Sequence, residues 1–247
     1  MAADIRTETV TVPGEVAIAA YLAEPVGPGP FPAVVVLQEI FGVNAHIREV
    51  TERLARLGYV AIAPALYQRL APGFEAGYTP QDIQVGREYK NQTRAPELLS
   101  DIQSTLTYLQ QKPNVRAQAL GAIGFCFGGH VAYLAATLPA IRATASFYGA
   151  GIPDWCPGEA QPTLQRTAQI SGTLYAFFGM EDQSIPEAHV NQIESSLAQH
   201  GVKHRVFRYA GAGHGFFCDR RQSYESRAAA DAWEQVQRLF QGVLQGD

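Results

Sequence analysis

The residue in this sequence best placed to do chemistry is Cys126, set in Gly124-Phe125-Cys126-Phe127-Gly128-Gly129. Residues 119–123 before it form a short apolar run that reads as a buried strand, and residues 131–136 after it read as a helix. A reactive side chain with glycine two positions away on each side, at a strand-to-helix junction, describes a nucleophile elbow; serine is the usual occupant, and here it is cysteine. Side chains at the flanking positions would collide with neighbouring backbone, which is why glycine is needed there. The turn would aim the sulfur at the mouth of a sheet, near the positive end of a helix dipole that favours a thiolate. The bland alternative is a cysteine buried as a small hydrophobe in a glycine-rich turn.

A thiol nucleophile needs a base, and the base needs an acid to orient it. In this arrangement the acid comes first along the chain and the histidine second. Gly179-Met180-Glu181-Asp182-Gln183-Ser184-Ile185-Pro186 follows a strand candidate at residues 173–178 and offers Asp182, which is preferred over its neighbour Glu181. Gly211-Ala212-Gly213-His214-Gly215-Phe216 follows a strand candidate at residues 204–209 and offers His214. Taken singly, Asp182 could cap the helix that begins near Pro186, and His214 could merely donate to a backbone carbonyl. Three weak signals in the required order, each after its own strand, weigh more than any one of them. The remaining histidines (His46, His130, His189, His200 and His204) have no partner residues in sequence and read as structural or exposed.

These side chains can meet only if a parallel sheet gathers the ends of their strands. Alternating residues 7–12 and 17–22 around Pro13-Gly14 predict an N-terminal hairpin, followed by a proline- and glycine-rich connector over 25–32. Residues 33–37 and 59–63 are continuous apolar runs, as expected of strands covered on both faces. Between them Asn44 is placed to cap a helix reaching Leu57, with Ile47, Val50 and Leu54 at helical spacing and Gly58 as its stop. A loop over 66–79 precedes a helical region broken near Pro96 and ending before Pro113. Beyond the elbow come a strand candidate at 143–148, an irregular stretch to Ser171, and helices over 186–200 and 223–244. The alternation predicts an α/β chain, a doubly wound and mostly parallel sheet with helices on both faces. Residues 1–247 read as one domain.

Composition narrows the partners. Nineteen basic against 23 acidic residues, dispersed along the chain, give a net charge of −4 and argue against nucleic acid or an anionic membrane as partner. Met1 to Arg6 shows no signal-peptide character, and no run approaches membrane-spanning length. Cys126, Cys156 and Cys218 cannot all pair and match no zinc-site spacing; a Cys156–Cys218 bridge is not expected, and a reducing cytoplasm is the simplest home. Nothing calls for a metal or an organic cofactor, and the expected state is a monomer.

Over nearly its whole length the chain resembles the dienelactone hydrolase (carboxymethylenebutenolidase) family. The resemblance rests on Gln38-Glu39-Ile40-Phe41-Gly42-Val43-Asn44, on Gly124 to Gly129, on Gly179 to Pro186, and on Gly213-His214-Gly215-Phe216-Phe217. It implies an α/β-hydrolase fold and a Cys126–His214–Asp182 triad. It also implies a role for Glu39, which in the family lies near the thiol and helps to activate it when substrate binds. A structural ion pair is the alternative, because a carboxylate ending a buried strand is costly unless paired. The elbow predicts the backbone N–H of Phe127 as an oxyanion donor, and the resemblance adds that of Ile40. Family members that cleave dienelactone hold the substrate carboxylate with arginines, one of them four residues beyond the histidine. That position is Cys218 here, leaving Arg221 and Arg87 as candidates, with Arg221 equally readable as an ion-pair partner. Phe41, Tyr148 and Phe216 are expected in an apolar cleft, with residues 67–89 as a partial rim. The implied reaction is hydrolysis of a small-molecule lactone or activated ester through a thioester, with no cofactor. A general carboxylesterase or thioesterase, and a non-catalytic binding or redox-sensing protein, are the alternatives on the same scaffold.

Overall fold

The computed structural model describes residues 4–246, so the part of the N-terminal reading that falls on Met1 to Ala3 lies outside the described residues. The strands are β1 (Ile5–Val12), β2 (Ile18–Pro25), β3 (Phe31–Leu37), β4 (Val60–Pro64), β5 (Val115–Phe125), β6 (Ile141–Phe147), β7 (Thr173–Gly179) and β8 (His204–Tyr209). They form one sheet in the order β1-β2-β4-β3-β5-β6-β7-β8. The N-terminal hairpin is antiparallel and β2 joins β4 antiparallel, whereas every pairing from β4 to β8 is parallel. The chain therefore has the α/β-hydrolase architecture.

The helices are α1 (Ala45–Arg56), α2 (Pro80–Gln92), α3 (Ala95–Gln111), α4 (Phe127–Ala135), α5 (Glu187–Gln199) and α6 (Ser226–Phe240). Side chains alternate across the central strand β3. Val34 and Val36 join the core containing α1 and α6, while Ala33, Val35 and Leu37 join the core containing α3 and α4. Both faces are covered, which explains the unbroken apolar run of this strand. Asn44 caps α1 as its sequence suggests, its side chain accepting from the Ile47 N–H at 3.3 Å. The helical break expected near Pro96 falls between Gln92 and Ala95, with Pro96 in the first turn of α3.

Some boundaries differ from expectation. Strand β5 begins four residues earlier than the apolar run suggests, and α4 starts at Phe127 rather than Val131. The sharp turn is therefore Cys126 alone. The glycines read as a loop belong to the first turn of the helix, because their lack of side chains lets α4 lie directly on the sheet. A Cβ on Gly128 would run into the carbonyl oxygens of Leu37 and Gln38, and one on Gly124 into the Gly128 carbonyl. The stretch before Ser171 contains a 3-10 turn over Thr163–Gln169, and the last helix passes into a π turn after Phe240. The three cysteines are unbridged. Among the described residues no helix is long and apolar enough to cross a membrane.

The close approach at Gly128 leads to a measurable expectation. Gly128→Ala should lower the free energy of unfolding by about 3 kcal/mol or more, since the new methyl meets backbone rather than a movable side chain. Denaturant unfolding of the variant measures this, and an unchanged midpoint would contradict the packing described.

Candidate active site

Cys126 occupies a backbone conformation that L-residues rarely adopt, with φ 56° and ψ −116°. Such a conformation costs on the order of 1–3 kcal/mol and persists only where its surroundings fix it. Here the Cys126 N–H donates to the Phe147 carbonyl at 3.1 Å, and its own carbonyl accepts from the His130 N–H at 3.1 Å. The first bond ties the turn to β6; the second begins α4. Phe127 is the first residue of that helix, so its N–H belongs to the set with no partner inside the helix.

Asp182 and His214 arrive at the same edge of the sheet on the loops after β7 and β8. Backbone bonds zip the two loops together, Met180 N–H to Tyr209 O and Glu181 N–H to Ala212 O, each at 2.9 Å. Asp182 is buried and accepts from His214 Nδ1 at 2.7 Å and from the Ser184 N–H at 2.8 Å. It does not cap α5, whose N-cap is Pro186, and Glu181 points to solvent. Since a carboxylate accepts, Nδ1 carries the proton, and Nε2 is left for Cys126. Burial pulls the His214 pKa down, but the Cys126 charge and the bonds to Asp182 and Cys126 outweigh it and raise the value to about 10.

Glu39, at the end of β3, is fully buried. Its Oε1 accepts from Arg221 Nη1 at 2.9 Å, and its Oε2 has no hydrogen-bond partner. Both readings of Arg221 therefore describe one residue, because it pairs with Glu39 and also lines the cavity over Cys126. That cavity measures about 480 Å³. Ile40, Phe41 and Phe127 form apolar wall, and α2 supplies the rim through Ile83, Arg87 and Lys90. Gly86 lets α2 pack against the Ile40 carbonyl, which a Cβ there would strike.

Two expected wall residues are elsewhere. Tyr148 and Phe216 are fully buried, the Tyr148 ring edge-on to that of His214 at 5.2 Å and 5.3 Å from that of Phe216. The Tyr148 ring supports the imidazole and Phe216 supports Tyr148, instead of either exposing apolar surface. Cys218, at the family's arginine position, is also buried and donates to the Tyr78 hydroxyl at 3.3 Å. Conversely, Lys90, Trp155 and His189 line the cavity although nothing in the sequence singled them out. Lys90 Nζ sits 4.4 Å from the Trp155 ring centroid, a cation–π contact. His130 reaches the wall too but is structural: Nδ1 donates to the Ala150 carbonyl at 2.9 Å, Nε2 bonds Thr163 Oγ1 at 2.7 Å, and burial lowers its pKa to about 4.

A family model described as "Dienelactone hydrolase family" matches residues 18–244. The chain belongs to the dienelactone hydrolase family. A Synechocystis protein named "Putative carboxymethylenebutenolidase" is 60% identical, over 99% of this chain and 100% of its own. A Methylorubrum extorquens protein of the same name is 33% identical over 90% of this chain and 76% of its own. The crystal structure titled as a putative dienelactone hydrolase from Klebsiella pneumoniae superposes with a TM-score of 0.87 at 29% identity, covering 96% of this chain and 98% of that one. Family membership makes this chain a hydrolase of lactone and ester bonds.

The charges around His214 set a direction for its titration. Its pKa is raised on folding, so the stabilisation it brings is complete below the ordinary imidazole range and is lost as pH rises towards 10. In Cys126→Ala and in Asp182→Asn, NMR should show His214 losing its proton at lower pH than in wild type. Identical titration in all three proteins would contradict the coupling.

Proposed function

We propose that Cys126 is the nucleophile of this hydrolase and that catalysis runs through a thioester. The observation that carries this reading is the 2.7 Å bond from His214 Nδ1 to buried Asp182, which leaves Nε2 directed to the sulfur of the elbow. In this mechanism His214 takes the thiol proton with Glu39 assisting, and the thiolate attacks the carbonyl of a lactone or ester. The tetrahedral oxyanion is received by the N–H groups of Phe127 and Ile40. Collapse breaks the C–O bond, His214 returns the proton to the departing oxygen where it needs one, and the acyl group remains on Cys126. Water deprotonated by His214 then adds to the thioester, and the carboxylic acid leaves as the thiol is restored. Asp182 holds the imidazole in the correct tautomer throughout.

Sulfur leaves more readily than an ordinary alkoxide, so the intermediate reverts unless the departing oxygen is stabilised. The proposed substrates are accordingly enol lactones and activated esters. With Arg221 paired to Glu39, Arg87 and Lys90 still outnumber Asp154 along the cavity and favour a substrate that also carries negative charge. The three unbridged thiols are in keeping with a reducing cytoplasm.

Aryl esters and enol lactones should therefore turn over, with simple amides slower by several orders of magnitude. Amidase activity comparable with the esterase activity would rule the thiolate argument out. Cys126→Ser should fold normally and lose most turnover; a serine variant as active as wild type would show that the site is not tuned to sulfur. Gly86→Ala should lower kcat about tenfold or more, with KM less affected, by displacing the Ile40 donor. Unaltered kcat in a folded Gly86→Ala protein would remove Ile40 from the oxyanion site.

A further inference from the structure

Behind the catalytic edge lies a cluster that the proposed mechanism uses only in part. Glu39, His46 and Cys218 each offer one donor atom, and these atoms lie within 4.8 Å of one another. All three residues are buried, with exposures of 0%, 3% and 0%. They come from three separate places in the chain: the end of β3, the first turn of α1, and the loop beyond His214. Two of their polar atoms, Glu39 Oε2 and His46 Nε2, are buried with no hydrogen-bond partner. The hydroxyl of neighbouring Tyr148 is a third such orphan, and its ionisation is disfavoured first by burial and then by the charges of Glu39 and Cys218. Buried polar groups are nearly always satisfied, and each one left bare costs free energy. Three unpartnered polar atoms among these buried neighbours mark a place that a ligand would complete.

We propose that Glu39, His46 and Cys218 form a binding site for a single divalent ion of the zinc class, and that filling it withdraws Glu39 from catalysis. The donor set decides the ion. Carboxylate, imidazole and thiolate together suit zinc and its softer analogues, whereas calcium and magnesium require mostly oxygen. Three donors within 4.8 Å need only small movements to close on one ion at ordinary bond lengths of roughly 2.0–2.3 Å. Binding releases the Cys218 proton to solvent and forms a metal–sulfur bond. The Glu39 carboxylate and the new thiolate then offset the two charges of the ion, and Arg221 remains on the opposite carboxylate oxygen. Phe125 and Phe217 flank the His46 ring at centroid distances of 5.6 and 6.2 Å, which fixes its orientation. The inhibitory half of the proposal rests on Glu39 assisting the thiol, as proposed above; the binding half does not.

The test uses the full chain, stripped with a chelator, and Co²⁺ as the optical probe with Zn²⁺ as its competitor. The Cys126→Ala protein removes the accessible thiol and should still bind one equivalent of Co²⁺ with a thiolate-to-cobalt charge-transfer band. Zn²⁺ should displace it. The band should persist when Cys156 is also changed to alanine, vanish with Cys218→Ala, and need at least tenfold more metal with His46→Gln. No stoichiometric binding, or a band that follows Cys156, would overturn the site. His46→Gln serves as the deciding variant if circular dichroism shows that Cys218→Ala does not fold. For the inhibitory half, Zn²⁺ should block aryl-ester turnover of the otherwise wild-type protein, and His46→Gln should raise the half-inhibiting concentration at least tenfold. An unchanged concentration would place inhibition at Cys126 and overturn that half. The cobalt measurement reads no turnover, so loss of the thioester mechanism and loss of the metal site give different results.

Discussion

The contact on which the site depends is between backbones. Where β5 ends, the first turn of α4 presses on the carbonyls of Leu37 and Gln38 at the end of β3, with Gly128 between them. Only this closeness lets a single residue, Cys126, reverse the chain from strand to helix. Its positive φ is held by hydrogen bonds to β6 on one side and into α4 on the other. The same closeness brings Ile40, two residues past Gln38, to the cavity that Cys126 and Phe127 also line. Positioning of this kind is fixed before any substrate arrives, which is the condition under which aligned dipoles help a reaction most.

Two buried carboxylates stand at this edge in unlike circumstances. Asp182 has both oxygens occupied, by His214 and by the Ser184 N–H, and so acts as a fixed brace. Glu39 has one oxygen on Arg221 and the other bare. An unsatisfied buried oxygen is costly to keep, and its retention on a residue paired with cavity-lining Arg221 suits a group that changes partners. Accepting a hydrogen bond while the thiol is activated and taking up a cation are both ways of completing that oxygen. The proposed reaction and the proposed metal site thus compete for one atom.

Much of this could be read in the chain because the elbow is a local constraint. Gly124 is needed because of Gly128 four residues on, and Gly128 because the helix it opens lies on the end of β3, so both leave their mark within one short motif. Asp182 and His214 were legible from chain order, since loops after successive parallel strands reach the same edge. The start of α4 was misplaced because Cys126 caps it with backbone alone and leaves no side-chain signal. Tyr148 and Phe216 were placed in the cleft through proximity to motif residues, yet packing buries both, Tyr148 against the imidazole and Phe216 against Tyr148. Lys90 lies one residue past the expected rim and His189 three past the Asp182 motif, but neither they nor Trp155 carry a sequence signal that says their side chains face the cavity. Glu39, His46 and Cys218 show the same limit most clearly: zinc spacing rules look for neighbours, and the sheet gathers these three from distant segments.

In the proposed mechanism the acyl group passes through the sulfur of Cys126. The most direct measurement is rapid quenching during the first turnover of an aryl ester or enol lactone, followed by mass spectrometry of the peptide that contains this residue. An acyl increment is expected on Cys126, removed by hydroxylamine and absent from Cys126→Ala. Full turnover with no acyl group on that peptide at any quench time, or with the group on another side chain, would contradict it.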